Sequence, residues 1–159
     1  MHDIDALLLR GPFDKSKARD FDLDPIALDF EITLFPLDES YCDYWSRKLG
    51  VPGRVSERPG ANRKVIHHMA RLIAHDPLFA VISTAYFGGL APGEHQSAAV
   101  YQGDIEIMQP TSAAAGPINE ALKLLGVVVK QPYDDEFDTI GLGRFRSFDD
   151  LFKKYWDTF

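Results

Sequence analysis

With 159 residues, 45% apolar and 26% charged, the chain has the balance of a globular protein, which argues against disorder. Its length suits one domain, residues 1–159, able to bury roughly 70% of the surface its unfolded form exposes. A net charge of −7 disfavours nucleic acid and anionic membranes, both of which need a basic footprint, and is compatible with a basic protein partner.

The lone cysteine, Cys42, excludes an internal disulfide and fits a reducing compartment. The start, Met1 to Asp5, is acidic where a signal peptide is basic, and the Ala6–Leu9 run is far too short to span a bilayer. The expectation is a cytoplasmic protein.

In chain order, Asp3 to Leu9 predicts the start of a short helix, stopped by Gly11-Pro12. Ile26 to Phe35 alternates: Ile26, Leu28, Phe30, Ile32 and Leu34 against Ala27, Asp29, Glu31 and Thr33. That period of two predicts one strand with a core face and an outer face carrying Asp29 and Glu31. Leu37 to Leu49 has helical spacing and ends at Gly50. Asn62 to His75 predicts a second helix, with Val65, Ile66, Met69, Leu72 and Ile73 as its buried stripe. Leu78 to Phe87 is apolar on both faces and reads as a central strand.

Gln96–Tyr101 and Asp104–Met108 flank Gln102-Gly103 at hairpin spacing. Gly116-Pro117 opens a helix that Gly126 ends. Val127–Lys130 suggests a short strand, 131–147 a long acidic loop, and Ser147 the cap of a final helix bearing Phe148, Leu151, Phe152, Tyr155 and Trp156. Helices and strands are segregated rather than alternating. The fold class expected is α+β, an antiparallel sheet of about four strands with helices packed on it.

Ser83 to Asp104, "STAYFGGLAPGEHQSAAVYQGD", looks most like a site: a phosphate cradle, a catalytic loop or only a turn of the chain. A phosphate-binding Gly-x-x-x-x-Gly-Lys-Ser/Thr loop fails here, because Glu94 stands where lysine is required and a strand follows instead of a helix. The glycines read as a strand connector. His67, Lys64, Arg71 and His75 read as a solvated basic face, since metal-binding helices place histidines at i and i+4. Cys42 has an acidic neighbour and makes a poor thiolate. Asp104 and Glu106 share a strand face with no lysine following. Neither a metal nor a cofactor is expected.

The densest charge lies in Tyr133-Asp134-Asp135-Glu136-Phe137-Asp138, four acids and two aromatics in six residues. Acids steer a basic partner and rings supply contact area, so these six, with Asp29 and Glu31, are the candidate partner-binding residues. The alternative is that Tyr133 and Phe137 tuck into the core and pin the loop.

The stretches "FAVISTAYFGG", "QSAAVYQGD", "GPINEALKLLGV" and "DEFDTIGLGRFRSFDDLF" together resemble small bacterial proteins encoded beside secreted polymorphic toxins, including those of type VI secretion and Rhs systems. The resemblance covers about residues 60–152. It implies an immunity protein that occludes a cognate toxin, and it implies no catalytic residues. Two other readings stay open. One is a small hydrolase or nucleotide-modifying enzyme using the Gly88–His95 loop; the other is a structural or adaptor protein.

Overall fold

The structure, a computed structural model, describes residues 2–52, 64–86 and 95–156. At its centre is β1, Asp5–Arg10, paired antiparallel on one side with β3, Ile32–Leu37, and on the other with β4, Leu78–Ala85. Ala6, Leu7, Leu8 and Leu9 are wholly buried. The expected N-terminal helix is therefore a strand. Four consecutive apolar residues suit a strand covered on both faces, where alternation disappears.

The outer strands are β2, Ile26–Ala27, beside β3, and then β5, His95–Gln102, and β6, Ile105–Ala113, beyond β4. The sheet is antiparallel, in the order β2-β3-β1-β4-β5-β6. It has six strands where the sequence predicts about four. One extra strand is β1. The other arises because the expected 26–35 strand is a hairpin: Phe30 and Glu31 adopt φ of 62° and 59°, and Leu28 N–H donates to Ile32 O at 2.8 Å. Pro36 lies within β3, opposite Ala6. The β2 partnership reaches only Thr33 and Leu34, so the proline stands where β3 has no outer neighbour to require an N–H.

Around the sheet lie α1 (Lys15–Asp20), α2 (Glu39–Leu49), α3 (Lys64–Ile73), α4 (Pro117–Leu124), α5 (Glu136–Thr139) and α6 (Lys153–Trp156). The α2 helix ends where expected but starts at Glu39, because Leu37 belongs to β3. Asp38 caps it by accepting from Tyr41 N–H at 3.2 Å, and Gly50 closes it with φ 64°. In α3 the buried stripe is Val65, Ile66, Met69, Ala70 and Ile73, whereas Leu72 faces outward.

Helices cover both faces of the sheet. β5 runs in unbroken register with β4, so Gln96 and Tyr101 project to opposite sides. On one side the α3 residue His67 packs on Phe79 and Tyr101. On the other, Gln96 Oε1 accepts from Ile118 N–H at the start of α4 at 2.7 Å. Arg10, at the end of β1, donates to Leu125 O at 2.6 Å. Gly126 lets it pass: φ is 97° there, and a Cβ would sit 1.7 Å from the guanidinium. The edge strand β6 shifts register twice against β5 and contains Pro110, features that blunt an edge against pairing with another chain.

The expected 127–130 strand is irregular chain, and the 131–147 loop contains α5 and a 3-10 turn at Leu142–Arg144. The final helix is reduced to a 3-10 turn at Asp149–Leu151 followed by α6. Its aromatic stripe is partly core. Phe148, Phe152 and Tyr155 are buried, with Phe152 and Tyr155 ring centroids 5.6 and 5.4 Å from that of Tyr41, while Leu151 and Trp156 are exposed. Among the described residues no helix is long and apolar enough to cross a membrane.

A chain ended after Arg146 should lose cooperative folding and aggregate. It loses three buried aromatics worth roughly 1.5–3 kcal/mol each, against a total stability of about 5–15 kcal/mol. Thermal unfolding by circular dichroism with sedimentation checks this. A soluble truncation with one sharp transition would make the segment an appendage.

Candidate protein-binding surface

The tip of the β2–β3 hairpin carries Asp29, Phe30 and Glu31, with both acids exposed. The left-handed backbone at Phe30 and Glu31 is uncommon for side chains of this bulk and costs of order 1–3 kcal/mol at each residue. The tip is therefore held in shape by its surroundings. One such contact is Lys130, whose Nζ lies 4.8 Å from the Phe30 ring centroid.

Lys130 belongs to the segment after α4, and that segment is unusually apolar for a surface. Val128 is 67% exposed, Val129 37% and Tyr133 48%. A turn closed by Tyr133 N–H donating to Lys130 O at 2.9 Å presents the tyrosine. Asp134 follows, exposed. The fold thus brings two candidate groups far apart in sequence, Asp29 with Glu31 and Tyr133 with Asp134, onto neighbouring segments joined through Phe30 and Lys130.

The remaining candidates have a different fate. Asp135 caps α5: Oδ1 accepts from Asp138 N–H at 2.8 Å, and Oδ2 accepts from Asn119 Nδ2 at 3.2 Å. Asn119 Oδ1 in turn accepts from Phe137 N–H at 2.9 Å, so one amide on α4 holds both the cap and the first turn. Glu136 is buried, 4.0 Å from Lys123 Nζ, and cannot be presented to a partner. Phe137 packs against the core, its ring 5.6 Å from that of His2. Asp138 stays exposed. The signal that sequence reading missed is the Asp-x-x-Asp spacing of Asp135 and Asp138, a helix-start pattern inside what looks like an acidic loop.

A second acidic concavity was not visible in sequence. A cleft of about 230 Å³ gathers Asp3, Asp5, Asp38, Glu39 and Asp149. Burial and the Asp149 charge raise the Asp3 pKa above the ordinary carboxylate value, partly offset by His2. Among the described residues, no group of three or more His, Cys, Asp or Glu side chains is placed to hold a metal ion.

Of the Gly88–His95 loop, expected to be a strand connector, residues 88–94 lie outside the described residues; His95 opens β5 opposite Ala85. Asp104 forms an ion pair with Arg71, and Cys42 is buried in α2.

The basic face of α3 needs one correction. His67 is not solvated. Its ring lies 4.1 Å from Tyr101 and 5.5 Å from Phe79, centroid to centroid, and its Nε2 is buried without a hydrogen-bond partner among the described residues. Burial, aided by the Arg71 charge, lowers its pKa to about 4. Tyr101 is pushed up to about 12 by burial and by Glu106.

Comparison of the chain with protein-family models, curated proteins and solved structures found no match.

His67 makes stability depend on pH. The folded state holds the ring neutral, while the unfolded chain accepts a proton near the ordinary imidazole value of 6.5. The unfolded state therefore binds more protons between these limits, and stability rises with pH there. The contribution is complete above about 6.5 and falls away towards about 4. The loss amounts to at most roughly 3–4 kcal/mol at about 1.4 kcal/mol per pKa unit. Urea unfolding at several pH values should show a shallower slope over this window for His67→Gln than for the parent. Equal slopes would mean that the ring is solvated when folded.

Proposed function

We propose that this chain is a non-enzymatic immunity protein that binds a cognate bacterial toxin with a basic surface and covers its active site. The observation that carries the reading is the surface at the hairpin tip: exposed Val128, Val129 and Tyr133 beside Asp29, Glu31 and Asp134. Protein interfaces combine an apolar centre containing aromatic anchors with a charged rim. Here the rim is acidic, as a basic partner requires, and the net charge of −7 adds long-range attraction. The resemblance of residues 60–152 to proteins encoded beside secreted toxins points the same way.

Strain at the tip supports a functional role. A bulky residue held in left-handed backbone is tolerated where surrounding structure enforces it, and such residues cluster at binding sites. The side chains of Asp29 and Glu31 are exposed at that tip, while Glu31 O accepts from Gly11 N–H at 2.9 Å just past the end of β1.

The test is binding to the protein encoded by the adjacent gene, followed by stopped-flow association at two ionic strengths. The variant Asp29→Lys, Glu31→Lys, Asp134→Lys should associate far more slowly at low salt, with the difference shrinking at high salt. The fold should survive, because all three side chains are exposed. Tyr133→Ala should instead speed dissociation, at a cost of about 1–2 kcal/mol or more in affinity if it is an anchor. Unchanged rates in both variants would place the partner elsewhere; no binding at all would remove the toxin reading.

A further inference from the structure

Between α1, α2 and α6 lies a cleft of about 430 Å³ lined by Tyr44, Trp45 and Tyr155 together with Asp20 and Asp22. The rings form walls rather than a stack. Tyr44 and Trp45 lie 5.3 Å apart at 86°, and Tyr44 and Tyr155 5.2 Å apart at 57°. Aromatic faces beside a carboxylate are what a guanidinium or alkylammonium group seeks, since the ring quadrupole and the anion both attract a cation.

The chain's own lysines already use this property. Lys154 pairs with Asp22, and its Nζ lies 5.4 Å from the Tyr155 ring centroid. Lys48 Nζ lies 5.9 Å from the Tyr44 centroid. Asp22 also accepts from Tyr155 Oη at 2.5 Å. Partial burial alone would raise Asp22, but Lys154 and Tyr155 outweigh it and hold its pKa below the ordinary value, so the anion persists.

Lys154 is a weakly held occupant. Its side chain is 60% exposed, so the pair with Asp22 is of the surface kind that contributes little net stability. With Lys154 swung into solvent, the lining keeps Asp20 and Asp22 against Arg19, a local charge of −1 facing three rings.

We propose that this cleft is a docking site for a cationic side chain, arginine or lysine, of a protein partner, and that Lys154 occupies it in cis until displaced. The proposal rests on the reading of a basic protein partner. It goes beyond that reading by assigning a second contact point with its own competitor.

The probe is N-acetyl-arginine amide, titrated against the full chain carrying Trp156→Phe, so that Trp45 is the sole tryptophan reporter. Trp156 is exposed and outside the cleft. Trp45 fluorescence should change saturably, beyond any change produced by sodium chloride at equal ionic strength. Lys154→Ala should lower the half-saturating concentration several-fold, because the competitor is gone while the anion and rings remain. Tyr44→Ala should weaken binding, with thermal unfolding as the check that each variant is folded. A Lys154→Ala protein that binds the probe no more tightly than the parent, or a response that sodium chloride reproduces, would overturn the proposal. The probe is not the toxin, so failure here leaves the association experiment standing, and failure there leaves this result readable.

Discussion

The structure depends on β1 being paired along both edges and covered on both faces. Each residue from Asp5 to Arg10 has a partner in β3 and another in β4. No solvent reaches Ala6 to Leu9, so every backbone polar group there must be satisfied by a neighbouring strand. That requirement fixes the register of two strands remote in sequence. It also fixes where their odd and even residues point, because a slip of one residue would turn each core face outward. Leu7 and Leu9 then share a face with Phe35 and Phe79, while Leu8 and Arg10 face α4. The reach of Arg10 to the end of α4, past the only kind of residue that leaves it room, ties the second helical layer to the same strand.

This arrangement divides the acidic segment after α4 between structure and surface. Asp135, Glu136 and Phe137 are committed to seating α5 against α4 through Asn119 and Lys123. Their charge and ring area are spent inside the molecule. What remains outward is Tyr133, Asp134 and Asp138, supplemented by the valines before them and by the hairpin tip beside them. The two segments of this surface are held from different sides: the tip continues β2 and β3, and Lys130 N–H donates to Thr139 Oγ1 at 3.3 Å while its Nζ meets the Phe30 ring. Segments ordered before docking lose less side-chain and backbone freedom on binding.

Charge alone would not distinguish the two acidic regions. The cleft around Asp3 and Asp149 sets its carboxylates over the buried Ile4, Leu37 and Phe148, whereas the hairpin surface combines acids with exposed apolar side chains. Burial first, and then repulsion from the nearby Asp149 carboxylate, raises the Asp3 pKa in that crowded cleft. Acids spaced along an apolar patch avoid that crowding, which suits the steering role proposed for them.

The sequence by itself determined what depends on neighbours along the chain. The α2 end follows from Gly50, the α4 start from Gly116-Pro117, and the β4 assignment from an apolar run in a strand-length segment. Tertiary structure decided what local pattern leaves degenerate. Ala-Leu-Leu-Leu fits a buried strand as well as a helical turn, and only pairing on both sides makes it β1. The alternation from Ile26 to Leu34 survives a hairpin, because the three residues Asp29 to Glu31 between Leu28 and Ile32 keep even positions opposite even ones, Ile26 against Leu34; the left-handed Phe30 and Glu31 that break the strand carry no glycine to announce it. Whether an acid in the 133–138 run faces water or the interior was likewise set by Asn119 and Lys123, which lie a helix away in sequence and act only once α4 is docked on β5.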